Sequence, residues 1–138
     1  MNIAKIMIPK VCTVFLRERQ TVRQGWEITK RHGYTAIPVL NDDDQYVGTV
    51  NEGDFLRFVI DAGTTDVHHM EKHLVSELLR KDFCPPLGID ASIEQVIHSI
   101  LRQNFVPIVD SRHALSGILT RRGVIRYLAE EGNIHCID

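Results

Sequence analysis

Thr35-Ala36-Ile37-Pro38-Val39-Leu40, an acidic turn and then Gly48 return as Asn104-Phe105-Val106-Pro107-Ile108-Val109, a polar turn and Gly117. The copies lie 69 residues apart, and ten positions separate proline from glycine in each. The run after the glycine repeats as well, Phe55-Leu56-Arg57-Phe58-Val59-Ile60 against Val124-Ile125-Arg126-Tyr127-Leu128-Ala129. A duplicated unit constrains the architecture before any single residue does. Two similar halves side by side create a pseudo-twofold seam, and small ligands favour seams between domains.

Working outward, each copy reads strand, helix, strand, strand, helix, an α/β (α+β) pattern. Val11 to Phe15 is a short β-prone run. Thr21-Val22-Arg23-Gln24 fits a capping box, a hydroxyl cap answered by glutamine three residues on, and opens a helix to about His32. Ser92-Ile93-Glu94-Gln95 fits the same box, and Ile93, Val96, Ile97, Ile100 and Leu101 follow at the spacing of one buried helical face. Strands are expected over 35–40, 46–50, 105–109 and 115–119, with terminal helices over 52–61 and 121–130. Asn41-Asp42-Asp43-Asp44-Gln45 between two strands reads as a solvated turn rather than a cation site. The expected division is repeat 1 over 1–62, a linker over 63–73, repeat 2 over 74–131 and a frayed tail over 132–138. A short helix is expected from Leu74 to Arg80. His69 and His73 at i, i+4 could hold a metal on a helix, but no third ligand lies nearby, so solvent-facing histidines are the better reading.

Composition bounds the functional classes. The 138 residues suit one compact domain or two half-size units sharing a core. A hydrophobic fraction of 43% and a charged fraction of 25% are ordinary for a soluble chain. A formal charge of −2 supplies no basic field for nucleic acid. No apolar run has the length of a membrane span, and the N-terminal run is too interrupted for a secretory signal, so a cytoplasmic protein is expected. Cys12, Cys84 and Cys136 are odd in number and form no C-x-x-C pair, which suits reduced thiols. An enzyme is not expected: no serine-histidine-acid set, P-loop or catalytic ligand triad can be placed.

The duplicated φ-x-P-φ-φ strand with its glycine ten residues on resembles a tandem pair of CBS domains, a Bateman module. The resemblance runs from about residue 5 to 130 and leaves no room for a fused enzyme or channel. Gly33-Tyr34-Thr35-Ala36-Ile37-Pro38-Val39-Leu40 and Gly117-Ile118-Leu119-Thr120-Arg121-Arg122 are similar to the stand-alone cyclic di-AMP-binding CBS proteins of Gram-positive bacteria. It implies an adenine nucleotide bound in a cleft between the repeats, and a homodimer. It further implies a hydroxyl residue three positions after the glycine at phosphate or ribose, and an aspartate six positions after it at the ribose hydroxyls. The first half has Asn51 and Asp54 there, and the second has Thr120 and Gly123, so neither half carries both groups. By the same resemblance, the adenine lies against Lys10, Val11 and Cys12, then Tyr34, Thr35, Ala36 and Ile37.

The repeat itself allows an electrostatic comparison. Glu52-Gly53 occupy the positions of Arg121-Arg122, and both pairs open a helix whose free N–H groups and dipole favour an anion. Guanidinium groups reinforce that field in one copy, and a carboxylate opposes it in the other. Thr120, Arg121 and Arg122 are therefore the candidate phosphate ligands, with Asp54 a lesser candidate for ribose. Arg-Arg at a helix start can equally face solvent, and Thr35-Ala36 can be ordinary strand packing. Phe105 in place of Ala36 would tend to fill the equivalent pocket. Three functions stay open: a cyclic di-AMP sensor that signals to an unidentified protein partner, an AMP, ADP or ATP energy sensor, and a nucleotide-free interaction module. Neither metal nor cofactor is expected.

Overall fold

Each duplicated phrase folds as an antiparallel hairpin followed by a helix. The computed structural model describes residues 1–131. In it β3 (Ala36–Leu40) pairs with β4 (Tyr46–Asn51), and α3 (Glu52–Ala62) follows. In the second copy β6 (Phe105–Val109) pairs with β7 (Leu115–Thr120), and α6 (Arg121–Glu130) follows. Val39 faces Gly48 and Ile108 faces Gly117, with a register shift immediately afterwards in both hairpins. The turns also match. The Asn41 side-chain oxygen accepts from the N–H groups of Asp43 and Gln45, at 2.9 and 3.0 Å. Asp110 accepts in the same way from Arg112 and Ala114, at 2.8 and 3.0 Å. Such side chains mimic a backbone turn, so the three aspartates belong to a surface reversal. Asp42 and Asp44 pair there with Arg19 and Arg17, at 2.8 and 2.6 Å.

The prolines of the phrase have a positional reason. Short parallel strands β2 (Leu16–Arg17) and β5 (Leu87–Gly88) join the hairpins at Val39–Leu40 and Ile108–Val109. Pro38 and Pro107 sit one residue before those partners begin, where a missing N–H leaves no ladder bond broken.

Helices α2 (Val22–His32) and α5 (Ile93–Ile100) begin at Thr21 and Ser92, and both capping boxes form reciprocally. Thr21 accepts from Gln24 at 3.1 Å and Ser92 from Gln95 at 3.2 Å. Gly33 closes α2 in the left-handed conformation, which a residue without Cβ adopts freely.

By its internal contacts the chain forms two compact units. One is Val14–Phe83, and the other joins Met1–Thr13 to the chain from Cys84 onward. The first unit is built around Leu16, Val22, Ile37, Val39, Val50, Phe55 and Val75, with Trp26 against Phe55 at 5.5 Å between ring centres. The second is built around Ile3, Val96, Ile100, Val106, Ile108, Leu119 and Val124. Each fully buried aliphatic side chain contributes about 1.5–3 kcal/mol.

The segment that opens each repeat has a shared pattern too. Ile3-x-x-Ile6-Met7 lies in α1 (Ile3–Ile6) and its cap, and Val75-x-x-Leu78-Leu79 in a 3₁₀ turn (Val75–Leu78) and its cap. Ile3 and Val75 are fully buried. Met7 then reaches the face of Gly117, and Leu79 the face of Gly48. A Cβ at either glycine would come within 3.0 Å of these side chains.

Three expectations need correction. Val11 to Phe15 is not a strand: Lys10–Cys12 is a 3₁₀ turn, and β2 starts only at Leu16. The Thr13 N–H closes the turn on the Lys10 carbonyl at 2.9 Å, and its hydroxyl donates to the Pro9 carbonyl at 2.9 Å. Just before it, β1 (Ile8–Pro9) pairs with β7, an element the sequence reading lacked. The expected helix from Leu74 to Arg80 shrinks to the 3₁₀ turn, because Leu79 is already extended and turns toward Gly48. The linker carries α4 (Val67–Met70), capped by Asp66. The expected tail over 132–138, with His135 and Cys136, lies outside the described residues.

Candidate functional site

Helix α6 begins where β7 ends, so the three residues singled out for phosphate fall at one strand-to-helix corner. Thr120 is the cap, its hydroxyl accepting from the Gly123 N–H at 3.0 Å. No acidic residue occupies the first turn, so the positive end of the helix is not neutralised from within. Arg121 and Arg122 are both exposed, but they are used differently. The Arg121 Nε donates to the Ile100 carbonyl at 3.0 Å, at the C-terminal end of α5. That bond ties one helix start to another helix end. Arg122 makes no ion pair or hydrogen bond among the described residues.

Lys10, Val11 and Cys12 belong to the same compact unit as this corner. Their turn lies against β7, yet the pairing of Ile8 with Ile118 and Pro9 with Gly117 places it toward the beginning of that strand. The residue of this segment next to the helix start is Ile6, 3.8 Å from where a Gly123 Cβ would stand. Val11 is 91% exposed and Cys12 is an exposed thiol. A recess of about 480 Å³ lies where α1 meets α6, lined by Lys5, Ile6, Gly123, Arg126, Tyr127 and Glu130, with Arg121 and Arg122 outside it.

Tyr34, Thr35, Ala36 and Ile37 belong to the other unit. Tyr34 is half exposed and stacks on His32, with 5.7 Å between ring centres and 7° between planes. The Thr35 carbonyl accepts from the Glu52 N–H at 3.1 Å, which ties this strand to the start of α3. Ala36 is partly buried and Ile37 is core. The register partner of Ala36 is Asn51 and that of Phe105 is Thr120. Phe105 is buried at 8% exposure, whereas Ala36 in the other copy is only partly buried.

Asp54 is 3% exposed. Its Oδ2 accepts from the Asn51 N–H at 2.8 Å, completing a capping box with Asn51. Its Oδ1 accepts from Arg57, one helical turn on, and from the Arg80 Nε at 2.8 Å. Arg80 Nη2 reaches Oδ2 at 3.3 Å. The Arg80 guanidinium also lies over the Phe83 ring, 3.6 Å from its centre. Sequence comparison sets Glu52 against Arg121 and makes the first helix start anionic. The fold instead brings two guanidinium groups to its first turn, so the electrostatic contrast between the halves is smaller than the aligned residues imply. Arg80 was missed because it enters from the start of the second repeat, 26 residues beyond Asp54. The pattern shared by Ile3-Ile6-Met7 and Val75-Leu78-Leu79 was the available signal: it sets Arg80 opposite Ile8.

In the linker, His69 and His73 lie 4.7 Å apart by ring centres, and both meet Phe58. No three histidine, cysteine or acidic side chains cluster to hold a metal among the described residues. No helix among them is long and apolar enough to cross a membrane.

The family model described as CBS domain matches the chain twice, over residues 3–61 and 75–130. Cyclic di-AMP receptor B of Bacillus subtilis (strain 168) is 25% identical over 101 residues, covering 73% of this chain and 68% of that protein. The CbpB protein of Listeria monocytogenes, solved in complex with c-di-AMP, superposes with a TM-score of 0.83 at 21% identity, covering 98% of this chain and all of that one. CBSX2 in complex with AMP superposes at 0.76 and 21% identity, over 95% and 98% of the two chains. At that identity the structural likeness speaks for the fold.

Proposed function

The chain belongs to the CBS-domain family as a tandem pair, and from that premise we propose that it is a regulatory sensor of an adenine nucleotide, cyclic di-AMP. The observation that carries the reading is the exposed Arg122 guanidinium at a helix start with no acid in its first turn. The family membership and the similarity to a curated cyclic di-AMP receptor support it. A planar guanidinium suits phosphodiester oxygens because it can donate two parallel bonds. In this reading Thr120, Arg121 and Arg122 take the phosphates. Lys10, Val11 and Cys12, and in the other unit Tyr34, Thr35, Ala36 and Ile37, are the proposed base-contacting residues. Occupancy changes the chain's affinity for a protein it regulates, which requires that the ligand bind one state better than the other.

The two arginines make different predictions. A hydrogen bond to a charged group contributes about 1.5–3 kcal/mol, against about 8 kcal/mol for a micromolar ligand. Because Arg122 holds nothing else among the described residues, Arg122→Ala should weaken cyclic di-AMP binding about 10- to 150-fold without moving the melting temperature. Arg121→Ala should lower both, since it also releases the Ile100 carbonyl. Isothermal titration of cyclic di-AMP, AMP, ADP and ATP against wild type and Arg122→Ala is the test. Unchanged affinity in the variant eliminates this corner as the phosphate site.

A mononucleotide energy sensor would need Asp54 for the ribose hydroxyls. That carboxylate is already occupied, so the cyclic dinucleotide is the reading adopted.

A further inference from the structure

We infer that Arg80 is a specificity-determining residue, an internal plug on Asp54 that excludes nucleotides carrying a free ribose diol. It rests on the adenine-nucleotide reading above and concerns the half of the chain that lacks the arginine corner. A carboxylate offers about four acceptor directions. Asp54 has all four taken, one by the Asn51 N–H, one by Arg57 and two by Arg80. Asn51 and Arg57 belong to α3 or its cap and move with it. Arg80 is the only one of the three that comes from a separate segment.

The pair that Arg80 presents to the carboxylate is a fork, two N–H groups directed at two oxygens. A ribose with free 2′ and 3′ hydroxyls presents the same chemistry, two adjacent donors to one carboxylate. The two compete for the same lone pairs. Nε holds Oδ1 at 2.8 Å, but Nη2 reaches Oδ2 only at 3.3 Å, and Phe83 supports the guanidinium from its face. Arg80 is therefore held from two sides without being buried.

Cyclic di-AMP escapes this competition. Its 3′–5′ linkages consume the 3′ hydroxyls, so it has no vicinal diol to offer. AMP, ADP and ATP each have one. A plug at Asp54 thus discriminates by sugar chemistry rather than by base or phosphate. The second half needs no such device: Gly123 stands where Asp54 does, and Ile8 stands where Arg80 does. Acid and plug occur together in one half and are missing together in the other.

Titrating AMP into full-length Arg80→Ala is expected to show at least tenfold tighter binding than wild type, with cyclic di-AMP affinity unchanged within twofold. The gain should vanish in Arg80→Ala with Asp54→Asn, and with 2′-deoxy-AMP as the probe. Phe83→Leu keeps the charge but removes the supporting ring, and should give a smaller gain of about two- to fivefold. It carries the test if Arg80→Ala does not fold. AMP binding that is unchanged or weaker in folded Arg80→Ala, or a gain that survives Asp54→Asn, overturns the proposal. Cyclic di-AMP is titrated into the same preparations. If wild type ignores it while Arg80→Ala gains AMP, the ligand reading fails and the plug stands.

Discussion

A Cβ placed on Gly117 would lie 2.3 Å from the Ile8 carbonyl oxygen, closer than any side chain can approach backbone. Main chain cannot rotate away as a side-chain tip can, so β1 or β7 would have to shift. Gly117→Ala should therefore cost about 1–3 kcal/mol, the range for forced overpacking. Gly88→Ala is the control, because nothing lies within 4 Å of its Cβ position. Urea midpoints of the two variants check the difference, and equal midpoints would remove the steric reading. A second residue-scale prediction concerns pH. The N–H groups of Ala114, then Arg112, hold the Asp110 carboxyl below the usual carboxylate range. Its folded pKa is depressed, so the stability it adds is present above the unfolded value, about 3.9, and fades as pH falls through the lower folded value. Asp110→Asn keeps the acceptor oxygen and removes the titration. Between pH 5 and pH 2 the variant should lose less stability than wild type, measured by urea denaturation. At this scale the sequence announced the glycines but not their neighbours: Gly117 stood out as a repeat, while the Ile8 carbonyl that requires it lies 109 residues earlier.

Helices were legible where their starts were chemically marked. Thr21 with Gln24 and Ser92 with Gln95 each satisfy two free N–H groups locally, so no distant contact is needed to place α2 or α5. Thr21→Ala and Ser92→Ala should each cost about 1 kcal/mol. Because the helices lie in different units, the double variant should cost about the sum. A strongly non-additive result in chemical denaturation would mean that the two caps share more than their motif. The entering strands were illegible for the opposite reason. β1, β2 and β5 are two residues long and exist only through partners found elsewhere in the chain. Val11 to Phe15 has β propensity, but Pro9 and the Thr13 hydroxyl impose a turn, and local propensity yields to such bonds. The candidate site divides in the same way. Thr120 to Arg122 could be read from the repeat, whereas Arg80 becomes visible only once the chain beyond the linker packs back on Asp54.

For the molecule as a whole, the consequential feature is where the first thirteen residues belong. They open repeat 1 in the chain, yet they share a unit with the chain from Cys84 onward. Ile3 is 1% exposed in a core otherwise made by Val96, Ile100, Val106, Ile108, Leu119 and Val124. Val75 holds the corresponding place in the other unit. Each unit is thus completed by the short segment that opens the other repeat, Ile3 for the second and Val75 for the first. Truncating it leaves a cavity in the second unit and none in the first. Ile3→Ala should cost about 2–5 kcal/mol. In native-state hydrogen exchange the added openings should fall on amides of β6, β7 and α6, while β3, β4 and α2 keep wild-type protection. Protection lost equally in both units would mean that they open as one cooperative block. Loss confined to β3 and β4 would place the N-terminal segment with the first repeat, against its contacts. Val75→Ala supplies the mirror experiment, with the expected loss moved to Val14–Phe83.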